Sequence, residues 1–154
     1  MKYLSKSLEE TKGVAKAFLN TISSRHVATV VALEGDLGAG KTAFAQAVGE
    51  LLGVKEDMHS PTFVIEKIYN IDWKGFRKFI HIDAYRIGKD TELMHLGWET
   101  LVIEPENLIL IEWPERVKNI IPGNAKQIVF KFIDEKTREI SFDTPQDKEY
   151  GLKS

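Results

Sequence analysis

Apolar positions change period along this chain, and the changes divide it into elements. From Leu8 to Ile22 the apolar residues Leu8, Ala15, Phe18, Leu19 and Ile22 fall on one face of a 3.6-residue repeat, with Thr11 on the same side, which predicts an amphipathic helix. Ser7 followed three residues on by Glu10 is a capping box for its start. Ala28-Thr29-Val30-Val31-Ala32-Leu33 is apolar on both faces apart from Thr29, the pattern of a strand buried in a parallel sheet. The helical period returns with Phe44, Ala47, Val48, Leu51 and Leu52, and Gly53 stands where a C′ glycine ends that helix.

The second half reads mainly as strands. Pro61 biases Ser60 toward an extended backbone, and a strand is predicted from about Phe63 to Tyr69. Lys74-Gly75 makes a turn and Lys78 to Asp83 returns, an antiparallel hairpin that makes the sheet mixed. The tip from Trp73 to Lys78 alternates bases with aromatics; RNA contact and an ordinary solvated turn both fit it. Asp90 is placed to cap a short helix through Leu93, Leu96 and Leu101. Leu108-Ile109-Leu110-Ile111 is a buried strand ending at Glu112 and stopped by Trp113-Pro114. After a turn at Pro122-Gly123, Ile128, Phe130 and Phe132 alternate, and Arg138 to Phe142 forms a last strand; the tail from Thr144 is polar.

The fold class that follows is α/β: a single domain over residues 1–154 with a mixed, largely parallel central sheet flanked by helices. Composition alters this little. Hydrophobic content of 43% and a net charge of −2 suit a globular protein with no global field for nucleic acid or an anionic membrane. The absence of cysteine excludes disulfides and thiolate metal sites. The charges at the N-terminus are followed by no apolar run, so a signal peptide is not expected, nor is a membrane helix. A cytoplasmic location is the expectation.

Candidate chemistry lies between the first predicted strand and the helix after it. Gly35-Asp36-Leu37-Gly38-Ala39-Gly40-Lys41-Thr42 fits G-x-x-x-x-G-K-S/T, the phosphate-binding P-loop, in its required strand–loop–helix setting. A nucleoside triphosphate must be wrapped by backbone N–H groups, and a Cβ at Gly35, Gly38 or Gly40 would hinder close approach or a φ > 0 turn. Lys41 supplies a point charge for the β- and γ-phosphates, Thr42 a hydroxyl for Mg²⁺, and the helix its N-terminal dipole. Such a site also needs a carboxylate at the end of a neighbouring strand. Asp83 and Glu112 both have that form, and the residues alone leave the choice between them open. The spacings of His59, His81 and His95 match no zinc pattern, and Arg86 and Arg116 are candidates for charge near a γ-phosphate.

Five motifs in order, GDLGAGKT, HSPTF, HIDAYR, LGWE and LIEWPE, resemble those of the TsaE (YjeE) family, small bacterial ATPases of tRNA threonylcarbamoyladenosine formation. The resemblance spans about residues 7 to 117; Ala43 and Ala84 depart from the family's usual threonine and leucine. It implies ATP and Mg²⁺ as ligands, Thr42 and Glu112 as the metal ligands, and Asp83 as an acidic residue needed for hydrolysis. It implies that Thr62 responds to the γ-phosphate, that Trp113 lies beside the nucleotide and that Thr11 approaches the adenine. It further implies TsaB and TsaD as partner proteins, with tRNA met only through that complex and weak hydrolysis by the chain alone. A small-molecule kinase is the competing reading, although no long insertion resembles a lid. A GTPase would need an N-K-x-D sequence, which the chain lacks, and a non-enzymatic nucleotide-binding adaptor is the fourth possibility.

Overall fold

The computed structural model describes residues 1–56 and 66–143. The strands, in chain order, are β1 (Lys2–Ser5), β2 (Thr29–Gly35), β3 (Glu66–Trp73), β4 (Phe76–Asp83), β5 (Asn107–Glu112), β6 (Lys126–Asp134) and β7 (Thr137–Phe142). The helices are α1 (Leu8–Leu19), α2 (Lys41–Leu51), α3 (Asp90–Met94) and α4 (Trp98–Ile103), and a 3-10 stretch runs over Pro114–Ile120.

The strands form one seven-stranded sheet in the order β1-β7-β6-β2-β5-β4-β3. Its centre is parallel, β6 with β2, β2 with β5 and β5 with β4, and its flanks are antiparallel. All of β5 is buried between β2 and β4, as its unbroken apolar run predicts. Alternate residues of each strand face two apolar layers. Val31, Leu33, Leu110, Phe130 and Phe142 meet Phe18 of α1 and Phe44 of α2 on one side. Val30, Ala32, Ile82 and Ile111 meet Leu93, Trp98 and Val117 on the other.

Local signals set the helix ends. Ser7 Oγ accepts from Glu10 N at 3.1 Å, and Glu10 answers by accepting from Lys6 N at 2.9 Å. Helix α2 closes with Val54 N donating to Gly49 O and Gly53 N to Glu50 O, Gly53 having φ +87°, a Schellman ending. The β3–β4 turn places Lys74 and Gly75 at φ +48° and +87°, the mirror-image turn that matches strand twist.

Several predicted boundaries shift. Helix α1 ends at Leu19 rather than Ile22, and Leu8, in its first turn, is 76% exposed instead of facing the core. The helix expected to run from Asp90 through Leu101 is two short ones. Gly97, at φ +84°, breaks it, and Asp90 lies in the first turn with Lys89 at the cap, whose side chain makes no capping bond, while Glu92 accepts from Gly88 N at 3.2 Å. Phe132 is half exposed although it alternates with buried Phe130, because it lies toward the end of β6 under the Arg138 guanidinium, 4.6 Å from the ring centroid. Strand β1 was not predicted; it adds to the edge of β7, and the amino terminus donates to Phe142 O at 2.9 Å. The start of the strand expected from Phe63, the residues His59 and Thr62, and the tail from Thr144 lie outside the described residues.

Candidate active site

The parallel register brings the C-terminal ends of three strands together. Glu112 is level with Leu33, two residues before the end of β2, and with Asp83, the last residue of β4. The loop from Gly35 to Gly40 leaves β2 at this edge and enters α2 at Lys41, so the start of α2 lines one cleft with the two acidic strand ends. The resulting cleft has a volume of about 320 Å³ and is lined by Leu37, Gly38, Gly40, Lys41, Thr42, Ala43, Asp83, Tyr85, Glu112 and Trp113. A second depression, of about 560 Å³, lies by Glu34, Glu115, Lys118 and Pro122, and none of Gly35, Gly38 and Gly40 lines it. The first has the chemistry for an anion; the second shows no comparable set of donors.

Each loop residue has its own geometry. Gly35 and Phe130 are register partners on β2 and β6, and a Cβ on Gly35 would meet the Phe130 carbonyl oxygen at 2.5 Å. Asp36 O accepts from Ala39 N at 3.0 Å, which folds the loop back over buried Ala39 while Leu37 is 77% exposed. Gly38 and Gly40 have φ of +79° and +99°, which L side chains rarely adopt. Arg138, from β7, donates from Nε to Gly38 O at 2.9 Å and so ties the loop to the far flank of the sheet.

Lys41 is 4% exposed. Its ammonium donates to Gly35 O and sits 3.3 Å from the centroid of the Trp113 ring. Burial lowers its pKa, opposed by the negative charges of Glu112, Glu115, Asp83 and Asp36. Trp113 has φ +59°, a left-handed conformation that costs a bulky residue ~1–2 kcal/mol. It packs against Tyr85 at 5.0 Å, and the Arg116 guanidinium lies 5.3 Å from the centroid of that same ring.

Thr42 Oγ1 donates to Glu112 Oε1 at 2.8 Å. The other carboxylate oxygen, Oε2, lies 2.6 Å from His81 Nε2, and both side chains are buried. Asp83 Oδ1 accepts from Tyr85 N at 3.0 Å. Burial raises the Asp83 carboxyl above its ordinary value against that hydrogen bond, and the Glu112 charge raises it further.

A hydroxyl beside a carboxylate, both oxygen donors, fits a hard divalent cation such as Mg²⁺. Among the described residues no group of three or more His, Cys, Asp or Glu side chains could hold a metal by itself. An ion bound here would therefore take most of its ligands from phosphate oxygens and water, as Mg²⁺ in nucleotide sites does.

The cleft thus gathers Leu37, Gly38, Gly40, Lys41 and Thr42 of the P-loop candidates, both acidic candidates and Trp113, while Gly35, Asp36 and buried Ala39 are outside its lining. It does not gather Thr11. That residue is buried on α1, 2.7 Å from Ser5 Oγ and outside the cleft lining. Two participants were missed. The partners of His81 and Arg138 lie 31 and 100 residues away, so no local signal pointed to either contact.

Residues 5–140 match the family described as threonylcarbamoyl adenosine biosynthesis protein TsaE. The tRNA threonylcarbamoyladenosine biosynthesis protein TsaE of Bacillus subtilis is 36% identical over 92% of this chain and 84% of its own. That of Rickettsia bellii is 35% identical over 86% of this chain and 87% of its own. The crystal structure of Bacillus subtilis YdiB superposes with a TM-score of 0.70 at 31% identity, covering 99% of this chain and 90% of that one.

Proposed function

The chain belongs to the TsaE family of tRNA threonylcarbamoyladenosine biosynthesis proteins, and from that premise we propose that it binds and hydrolyses ATP with Mg²⁺ as a component of the modification machinery, acting with TsaB and TsaD. The observation that carries this reading is the joining of the P-loop to Glu112 through the 2.8 Å bond from Thr42. A glycine-rich turn serving only as a connection would need no carboxylate at its mouth.

On this reading the backbone N–H groups of Gly38 to Thr42 surround the β-phosphate at the N-terminus of α2. Lys41 leaves the Gly35 carbonyl and the Trp113 face and turns its charge to the β- and γ-phosphates. Thr42 and Glu112 hold Mg²⁺, which when bound neutralises charge developing on the phosphate oxygens. Asp83, beside Glu112 on the neighbouring strand, orients the water that attacks the γ-phosphate. Trp113 and Tyr85 wall the cleft, and Arg116, whose guanidinium lies over the Tyr85 ring, is the cationic candidate beside it.

Open as it is, the cleft surrounds a γ-phosphate with little charge and leaves it wet, which favours slow hydrolysis by the chain alone. A partner that engages Thr62, or supplies a cation, raises the rate. Phosphate release measured with and without TsaB–TsaD tests this, and faster release in their presence is expected. Thr62→Ala should lower the stimulated rate more than ATP affinity. Partners that neither bind nor change the rate would refute the complex-component reading.

A further inference from the structure

His81 has no part in the chemistry set out above, yet it is 1% exposed and directed at the site's acidic residue. Strand geometry puts it there. His81 and Asp83 are two residues apart on β4 and so share a face, and parallel β5 runs alongside with Leu110 opposite His81 and Glu112 opposite Asp83. The imidazole reaches along that face to Glu112 Oε2 at 2.6 Å. A carboxylate that holds a cation only accepts, so with the ion bound Nε2 is the donor.

We propose that His81 is a positioning residue for the cation-binding carboxylate, fixing Glu112 in the one orientation that offers Oε1 to the ion. The last torsion of a glutamate is broad and roughly two-fold, so an unheld carboxylate samples many directions. Here both oxygens are assigned. Oε2 is held by His81 on the sheet side and Oε1 faces Thr42 at the start of α2. Glu112 is 2% exposed, so water does not take over the role of a lost partner. Partners that hold a ligating carboxylate from behind commonly change metal affinity by about ten- to a hundredfold when removed. The inference rests on Glu112 being a metal ligand, and the test separates the two ideas.

The experiment titrates Mn²⁺, followed by its electron paramagnetic resonance, into the full chain saturated with ADP, for wild type, His81→Met and His81→Gln. Methionine and glutamine are of similar length, but only glutamine keeps an N–H donor. His81→Met should bind Mn²⁺ about ten- to a hundredfold more weakly. His81→Gln should stay near wild type, and ADP affinity in chelator should be the same in all three. Wild-type Mn²⁺ affinity in the methionine variant, or equal losses in both variants, overturns the proposal. A Glu112→Ala variant that binds Mn²⁺ as tightly as the wild type in the same titration instead overturns the metal reading of Glu112, and the proposal with it. If His81→Met does not fold, the ¹⁵N spectrum of the wild-type ADP–Mg²⁺ complex decides. A proton on His81 Nε2 in slow exchange with water supports the proposal, and a bare Nε2 overturns it.

Discussion

Gly35→Ala should destabilise the protein far more than the same change at Gly38, although both are glycines of one phosphate loop. At Gly35 the new methyl would lie 2.5 Å from Phe130 O and 2.9 Å from Phe130 Cβ, well inside contact distance. Neither atom is the free end of a flexible side chain. Both belong to β6, which is held on one side by β2 and on the other by β7. Relief therefore requires β2 and β6 to separate at the register pair Gly35–Phe130. Overpacking of this kind costs ~1–3 kcal/mol, and an L residue at φ +154° adds a similar amount of strain. The combined loss of about 2–6 kcal/mol compares with ~5–15 kcal/mol for the whole fold. At Gly38 a Cβ meets nothing within 4 Å, so only the φ of +79° is penalised, by ~1–2 kcal/mol. With a urea slope of about 2 kcal/mol/M, Gly35→Ala should lower the unfolding midpoint by about 1–3 M and Gly38→Ala by about 0.5–1 M. Urea unfolding followed by far-UV circular dichroism, in the absence of nucleotide, makes the comparison. Equal midpoints for the two variants would refute the assignment of Gly35 to strand contact and leave phosphate approach as its sole reason.

Lys41→Ala should weaken binding of a non-hydrolysable ATP analogue by ~1.5–3 kcal/mol, about ten- to a hundredfold, in a calorimetric titration. Asp83→Ala should keep most ATP affinity and lose single-turnover hydrolysis, since its proposed contact is made in the transition state; an equal loss of binding would point to a metal or structural role. Glu66 bears on stability alone. One of its carboxylate oxygens is buried with no hydrogen-bond partner among the described residues, and burial raises its pKa above the ordinary 4.5. A raised carboxyl stabilises the fold fully below its unfolded value, and that contribution disappears as pH rises through the folded value. Glu66→Gln should therefore raise Tm at neutral pH, with the gain shrinking as pH falls toward 4.5, as scanning calorimetry across that range would record.

What the sequence determined by itself is what short-range chemistry decides. Glycine and lysine spacing defined the loop from Gly35 to Thr42, because a phosphate-wrapping turn needs its residue types within eight positions. Ser7 with Glu10, and Gly53 after an apolar helical face, marked helix ends for the same reason: the groups that meet are within one turn. The unbroken run from Leu108 to Ile111 announced a strand buried on both faces, and with it a carboxylate at its end. Boundaries failed where a local pattern continued past a tertiary event, as at Gly97, whose left-handed backbone splits a helix that the leucine spacing carries on.

Only the tertiary structure decided what each end of the sheet brings together. Parallel register, which no single strand encodes, sets Glu112 level with Asp83 and within reach of His81 and Thr42. It likewise took the assembled sheet and its helices to bring Arg138 against the Gly38 carbonyl, to seat the Lys41 ammonium on Trp113, and to turn Thr11 toward Ser5. Such contacts depend on the order and register of strands far apart in sequence, and their energy is collected only once the chain between them has folded.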